Sequence, residues 1–133
     1  MELLLDTHPL VWLVSGSAKL GRTARRRIDG AERVSVSVLS YVEIGLLMEC
    51  GRFRISEGLG PWRRDLVAAD IDEVELSAEA AVWGAGLSTL DDPFDRMIAA
   101  SARSIQRTLV TADTRLLEWA RRSKELRVLD AQR

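Results

Sequence analysis

The chain has 133 residues with 47% hydrophobic and 29% charged side chains, a composition that excludes a disordered chain and suits one packed domain. Its net charge of −1 excludes the overall basic field that many nucleic-acid binders carry. A lone cysteine excludes an internal disulfide framework and points to a reducing compartment.

The amino-terminal "ELLLD" reads as a short buried strand, followed by a helix from about Pro9 to Val14. Asp6 and Pro9 interrupt the apolar run, and no basic segment leads it, so it does not read as a signal peptide. Nothing approaches the roughly 20 apolar residues of a membrane helix, and the cytoplasm is the expected location. A basic amphipathic segment covers about Arg22 to Asp29, "RVSVSV" is a second strand, and a helix through "LSYVEIGLLMEC" follows directly. After "GRFRISEGLGP" come a helix from about Pro61 to Ala69, a short strand in "DEVELS", and a helix over "AEAAVWGAGL". "DDPFDRMIAASARSI" opens a further helix, "TLVTAD" is a strand, "TRLLEWARRS" its helix and "LRVLD" a last strand. With no repeat and no long linker, residues 1–133 are expected to form one domain. Apolar strands separated by helices imply a mainly parallel sheet flanked by helices in three α/β/α layers.

Among the 19 basic residues only Lys19 and Lys124 are lysines. Arginine forks suit phosphate groups, although a GC-rich genome produces the same bias. "RTARRR", the pair Arg63–Arg64 and the pair Arg121–Arg122 are therefore either phosphate contacts or solvated helix faces.

The acids carry more information. In a sheet of this kind ligands gather beyond the carboxyl ends of the strands. Asp6 ends the first strand, Asp113 follows "TLVT", Glu43 lies early in the helix leaving the second strand, and Asp95 is in the first turn of the "DDPFD" helix. Capping is a competing explanation for three of these positions: Asp6 or Thr7 before the helix at Pro9, Asp113 before "TRLLEWARR", and Asp95 at the third position behind an Asp92–Pro93 start. Glu43 has no such role. At about 100° per residue it shares a side with Leu39, Leu46, Leu47 and Cys50, which is expected to face inward, with Cys50 as a small buried hydrophobe. Asp95 shares its side with Ile98, Ala99 and Ala102. Carboxylates brought together repel unless a cation holds them ionised. Oxygen donors without histidine or cysteine favour a hard ion, Mg²⁺ or Mn²⁺, over zinc. Such an ion bridges acids to a phosphate and orients a water for attack, which makes a phosphodiester the natural substrate.

"LLLDTH", the mid-helix Glu43, "DPFDRMIAA" and "LVTAD" together resemble PIN-domain ribonucleases, and the size and ending resemble the VapC-type toxins of toxin–antitoxin pairs. The resemblance runs from Asp6 to about Val128, and "DPFDRMIAA" is its most specific piece. It implies that Asp6, Glu43, Asp95 and Asp113 form the acidic site, with the metal bound chiefly through Asp6 and Asp95. It further implies Thr7 or Thr111 as hydrogen-bonders to metal-bound water or substrate. Arg96 either touches RNA phosphate or pairs with a neighbouring acid, and the ion pair is the preferred reading. The implied partners are an RNA substrate, a cognate VapB-type antitoxin, and a second copy of the chain within a larger toxin–antitoxin assembly. Trp12, Leu13, Ile44, Met48 and Trp62 are candidates for apolar contacts beyond the core, with Trp12 and Ile44 read as core. His8 reads as local packing or turn chemistry. The alternatives are a non-catalytic PIN-like protein- or RNA-binding domain and a nuclease directed at DNA. A response-regulator receiver would need a lysine at a strand end, and no glycine-rich phosphate loop is present.

Overall fold

A computed structural model describes all residues, 1–133. Five strands form one sheet: β1 (Glu2–Leu5), β2 (Arg33–Ser37), β3 (Asp72–Val74), β4 (Thr108–Thr111) and β5 (Val128–Asp130). The spatial order is β3-β2-β1-β4-β5 and every neighbouring pair is parallel. From β1 the chain first builds outward through β2 and β3, then returns to place β4 and β5 on the other side of β1. The reversal lies between β1 and β4, where the connections leave in opposite directions and open a crevice at the carboxyl edge.

Seven helices cover the sheet: α1 (Thr7–Ser15), α2 (Arg22–Asp29), α3 (Val38–Glu49), α4 (Leu59–Ala68), α5 (Ala78–Ala85), α6 (Pro93–Ser104) and α7 (Thr114–Ser123). Alternation along β1 explains the three layers. Leu3 and Leu5 point into one core with Val36 of β2 and with Leu10, Ile28, Ile44, Trp62 and Leu66 from α1 to α4. Leu4 points the other way, onto Ile98, Ala99, Ala102, Leu116 and Ala120 from α6 and α7. A central strand buried on both faces must be continuously apolar, and "LLL" is. Close packing of α5 on α6 depends on Gly84, where a β-carbon would sit 3.2 Å from Ala100 Cβ and from the Arg96 carbonyl oxygen.

Helix boundaries follow their caps. Asp6, Ser37, Ser77, Asp92 and Asp113 each accept a backbone N–H at the start of the next helix. The first helix therefore begins at Thr7, two residues before the expected Pro9, which sits within the first turn where its missing N–H costs nothing. At the amino edge of the sheet, Arg107 Nη1 donates to Ser35 Oγ at 2.6 Å and Nε lies 3.7 Å from Glu2 Oε2. No helix is long and apolar enough to cross a membrane.

One expectation is overturned. The buried side of α3 carries Ser40 and Ile44, while Val42 is 52% and Leu46 46% exposed and Cys50 is exposed. The stripe read as inward is half-buried at Leu39, Glu43 and Leu47 and exposed at Leu46 and Cys50, so it is not the buried side, and Cys50 is no core residue. The helix is apolar nearly all round, so its sequence carries no amphipathic phase to orient it.

Candidate functional site

Asp6, Glu43, Asp95 and Asp113 come together with Asp92, His8 and Trp12 around a cleft of about 330 Å³ at the carboxyl edge, between β1 and β4. Each arrives by a different local rule. Asp6 leaves β1 as the cap of α1: its Oδ1 accepts from Thr7 N at 2.8 Å, and its own N–H donates to Val110 O at 2.9 Å. Its second oxygen, Oδ2, accepts from Thr111 Oγ1 at 2.7 Å, a bond across 105 residues of sequence. The same hydroxyl accepts from Asp113 N at 3.1 Å, so Thr111 ties the two strand-end acids to one another. Asp113 in turn caps α7 through Leu116 N at 3.1 Å. Asp92 Oδ1 accepts from Phe94 N at 2.7 Å and Asp95 N at 3.2 Å, which leaves the Asp95 carboxylate free to face the cleft. Capping and site membership coincide at Asp6 and Asp113, because a helix that starts where a parallel strand ends brings its cap to the crevice; Asp92 caps α6, which follows α5 and a loop, and reaches the same cleft.

The half-buried Glu43 sits at the margin of α3's buried side and reaches the cleft, so its place there does not require the inward stripe. Thr7 is buried, its Oγ1 2.9 Å from Ser40 Oγ. Arg96 makes no ion pair: its Nε donates to the Leu90 carbonyl and holds the loop that leads into α6. The ion pair preferred for it is replaced by a backbone contact because the loop's open carbonyl lies within reach. Asp91 is exposed and paired with Arg115.

None of the cleft's five carboxylates has a basic side chain within 4.0 Å. Burial raises Asp6 above the ordinary carboxylate range against the pull of its bonds from Thr111 and Thr7, with Asp113 adding to the rise. Glu43 is raised first by burial and then by Asp6 and Asp92, partly offset by the Thr7 hydroxyl and His8. Asp95 is pushed up to about 8 by burial, by a hydrogen bond with Asp113 and by repulsion from Asp6 and Asp92. The geometry thus concentrates negative charge that the protein does not neutralise.

That donor set fits a hard divalent cation. No three acidic, histidine or cysteine side chains close on one point as a finished ligand cage. Mg²⁺ seldom uses such a cage; it keeps several waters and binds through one or two carboxylates plus substrate phosphates. His8 stands at the rim with its ring centroid 6.2 Å from that of Trp12. Sequence reasoning assigned neither His8 nor Trp12 to the cleft. The signal was available: both lie on the first turns of the helix that Asp6 caps.

A doubly wound parallel sheet with a cleft lined by five carboxylates at its switch point defines a domain suited to metal-assisted chemistry on phosphates. The PIN-domain family model matches residues 3–122, and the chain belongs to the PIN-domain family. It is 30% identical over 115 residues to Ribonuclease VapC22 of Mycobacterium tuberculosis (strain ATCC 25618 / H37Rv), covering 85% of this chain and 88% of that protein. Its fold is similar to VapBC-1 from nontypeable Haemophilus influenzae, with a TM-score of 0.70, 15% identity and full coverage of both chains. It is also similar to DNA-bound VapBC from Salmonella typhimurium, with a TM-score of 0.68, 19% identity and 98% of each chain covered.

Proposed function

We propose that this chain is a single-domain, metal-dependent endoribonuclease that acts in the cytoplasm as the toxin of a toxin–antitoxin pair, restrained by a VapB-type antitoxin. The observation that carries the reading is the gathering of Asp6, Glu43, Asp95 and Asp113 at the switch point with no cation of the protein's own beside them. The family membership and the similarity to a ribonuclease and to VapBC assemblies support it.

Asp6 and Asp95 are the principal ligands for Mg²⁺ or Mn²⁺, with Glu43 and Asp113 completing the charge. When bound, the ion supplies an activated water and stabilises negative charge developing on the phosphate. Thr111 fixes the rotamer of Asp6 by a 2.7 Å bond, so the carboxylate needs no reorientation to bind. Thr7, buried on Ser40, holds the amino end of α1 against α3 and so sets the spacing of Asp6 and Glu43. Arg96 shapes the loop before α6 rather than holding phosphate. The exposed apolar outer face of α3, with Val42 and Leu46, is the contact we assign to a second copy in a homodimer.

The test is incubation of total cellular RNA with purified protein in Mg²⁺, in Mn²⁺ and in EDTA, beside Asp95→Asn. Discrete fragments that need the metal are expected, and the variant should lose at least about a hundredfold, since even outer partners of metal sites cost 10–100-fold. A folded, inhibitor-free protein that leaves RNA intact under every metal would move the assignment to a non-catalytic binding domain.

A further inference from the structure

Beside the acidic cleft, and separated from it only by His8 and Trp12, lies a second recess of about 330 Å³ with a different character. Its floor and walls include Trp12 and Phe53, and its rim carries Lys19 and Arg52. Both cations are exposed and neither has an acid within 4.0 Å. Trp12 is half-buried: it packs against the core and also borders both recesses. An exposed cation alone is ordinary surface, and a half-buried aromatic alone is ordinary packing. Here two unpaired cations and two aromatic rings line one recess, and that recess shares a wall with a cleft that repels polyanions.

A nucleic-acid strand has what this recess lacks. Its bases present flat π-faces that stack on aromatic side chains, and its phosphates seek cations. The volume is at the small end for ligand sites, which suits one nucleotide better than a folded element. We infer that the recess bounded by Trp12, Phe53, Lys19 and Arg52 is the subsite for an unpaired nucleotide adjoining the scissile phosphate of single-stranded RNA. Its base stacks on Trp12 and its phosphate lies between Lys19 and Arg52, so the strand is anchored by attraction next to a cleft that would otherwise push it away. A duplex cannot present an unstacked base there, so the subsite selects single-stranded segments.

The inference rests on the nuclease reading, and its test does not require cleavage. In an Asp95→Asn background with EDTA, three fluorescein-labelled RNA probes are titrated: a ten-residue oligouridylate, an abasic chain of equal charge, and a ten-base-pair duplex. The oligouridylate should bind about tenfold more tightly than the abasic chain, the scale of one base on one aromatic ring, and more tightly than the duplex. Trp12→Ala should erase that preference while keeping affinity for the abasic chain. Trp12→Leu, which retains apolar bulk for the core, should do the same in a protein whose circular dichroism and melting match the parent. The Lys19→Ala, Arg52→Ala double variant should keep the base preference and weaken both single strands. It should also lower the slope of log affinity against log salt by about 0.7, the value for one phosphate contact on a single strand. A base preference that survives Trp12→Leu, or a salt slope unmoved by the double variant, overturns the subsite. Binding as described in a wild-type protein that cleaves no RNA would sink the nuclease reading and leave the subsite standing.

Discussion

Glu73, on the edge strand β3, and Asp95, in the first turn of α6, are both partly buried carboxylates, and their surroundings drive them in opposite directions. Glu73, on β3, takes a forked pair of bonds from Arg63 at 2.8 and 2.6 Å, and the arginine holds it at about 2. Asp95 meets burial, Asp113 and two further acids, and stands at about 8. At β3 an arginine compensates the charge, whereas in the cleft between β1 and β4 only a proton does. A fold selected for stability alone gains nothing from the second arrangement, so the contrast separates an acid paired within the protein from one the fold leaves open to a ligand.

The comparison breaks most visibly at Thr111. Thr111→Val removes the bond that orients Asp6 and the acceptor for Asp113 N while keeping the side chain's shape. Cleavage is expected to fall about 10–100-fold, as for other outer partners of metal ligands, with KM for RNA nearly unchanged. Initial rates over a range of RNA concentrations measure both. A Thr111→Val enzyme with full kcat would show that Asp6 needs no orienter.

A second difference is a sign. Asp95's folded value lies above its unfolded one, so the folded chain holds a proton that the unfolded chain releases between about pH 4 and 8. In EDTA this contribution is full below about pH 4 and is lost as pH rises through 8. Melting temperature should therefore fall by a few degrees from pH 5 to pH 8. Asp95→Asn should flatten that slope, and saturating Mg²⁺ should remove it by competing with the proton. Glu73 runs the other way: its contribution is full above about pH 4.5 and disappears as pH falls toward 2. Thermal unfolding followed by circular dichroism at each pH separates the two.

The smallest effect sharpens the contrast from the paired side. Glu73→Gln loses the charge while retaining the position, in a pair whose arginine is half exposed. Such pairs contribute little. The variant should shift the melting temperature least of the three and leave RNA cleavage as it was. A loss of cleavage there would mean that β3 belongs to the site.

Much of this was legible in sequence. The apolar run Leu3–Leu5 could only be a doubly buried strand, and the acids at strand ends followed from the element order. Capping signals correctly placed Asp92 as the cap of α6 and Asp95 in its first turn. What sequence could not supply was rotation. In α3 aliphatics occur on every side, so the phase chosen from Leu46, Leu47 and Cys50 was arbitrary, and Ser40 and Ile44 instead face the core. Nor could it supply partners set by tertiary approach: Arg96 found a carbonyl rather than an acid, and Thr7 found Ser40. Trp12 was read as core because a tryptophan in an apolar helix carries no mark of which edge it leaves open.

The bond between Thr111 and Asp6 joins the last third of the chain to its beginning. During synthesis, β1, β2 and β3 emerge before β4, so Asp6 Oδ2 lacks its Thr111 partner until Thr111 clears the ribosome. Asp95 and Asp113 likewise arrive only with the final segments. The cleft is thus absent from any nascent chain that stops short of Asp113. Strand order alone sets when it assembles: only after β4 has slotted in beside β1.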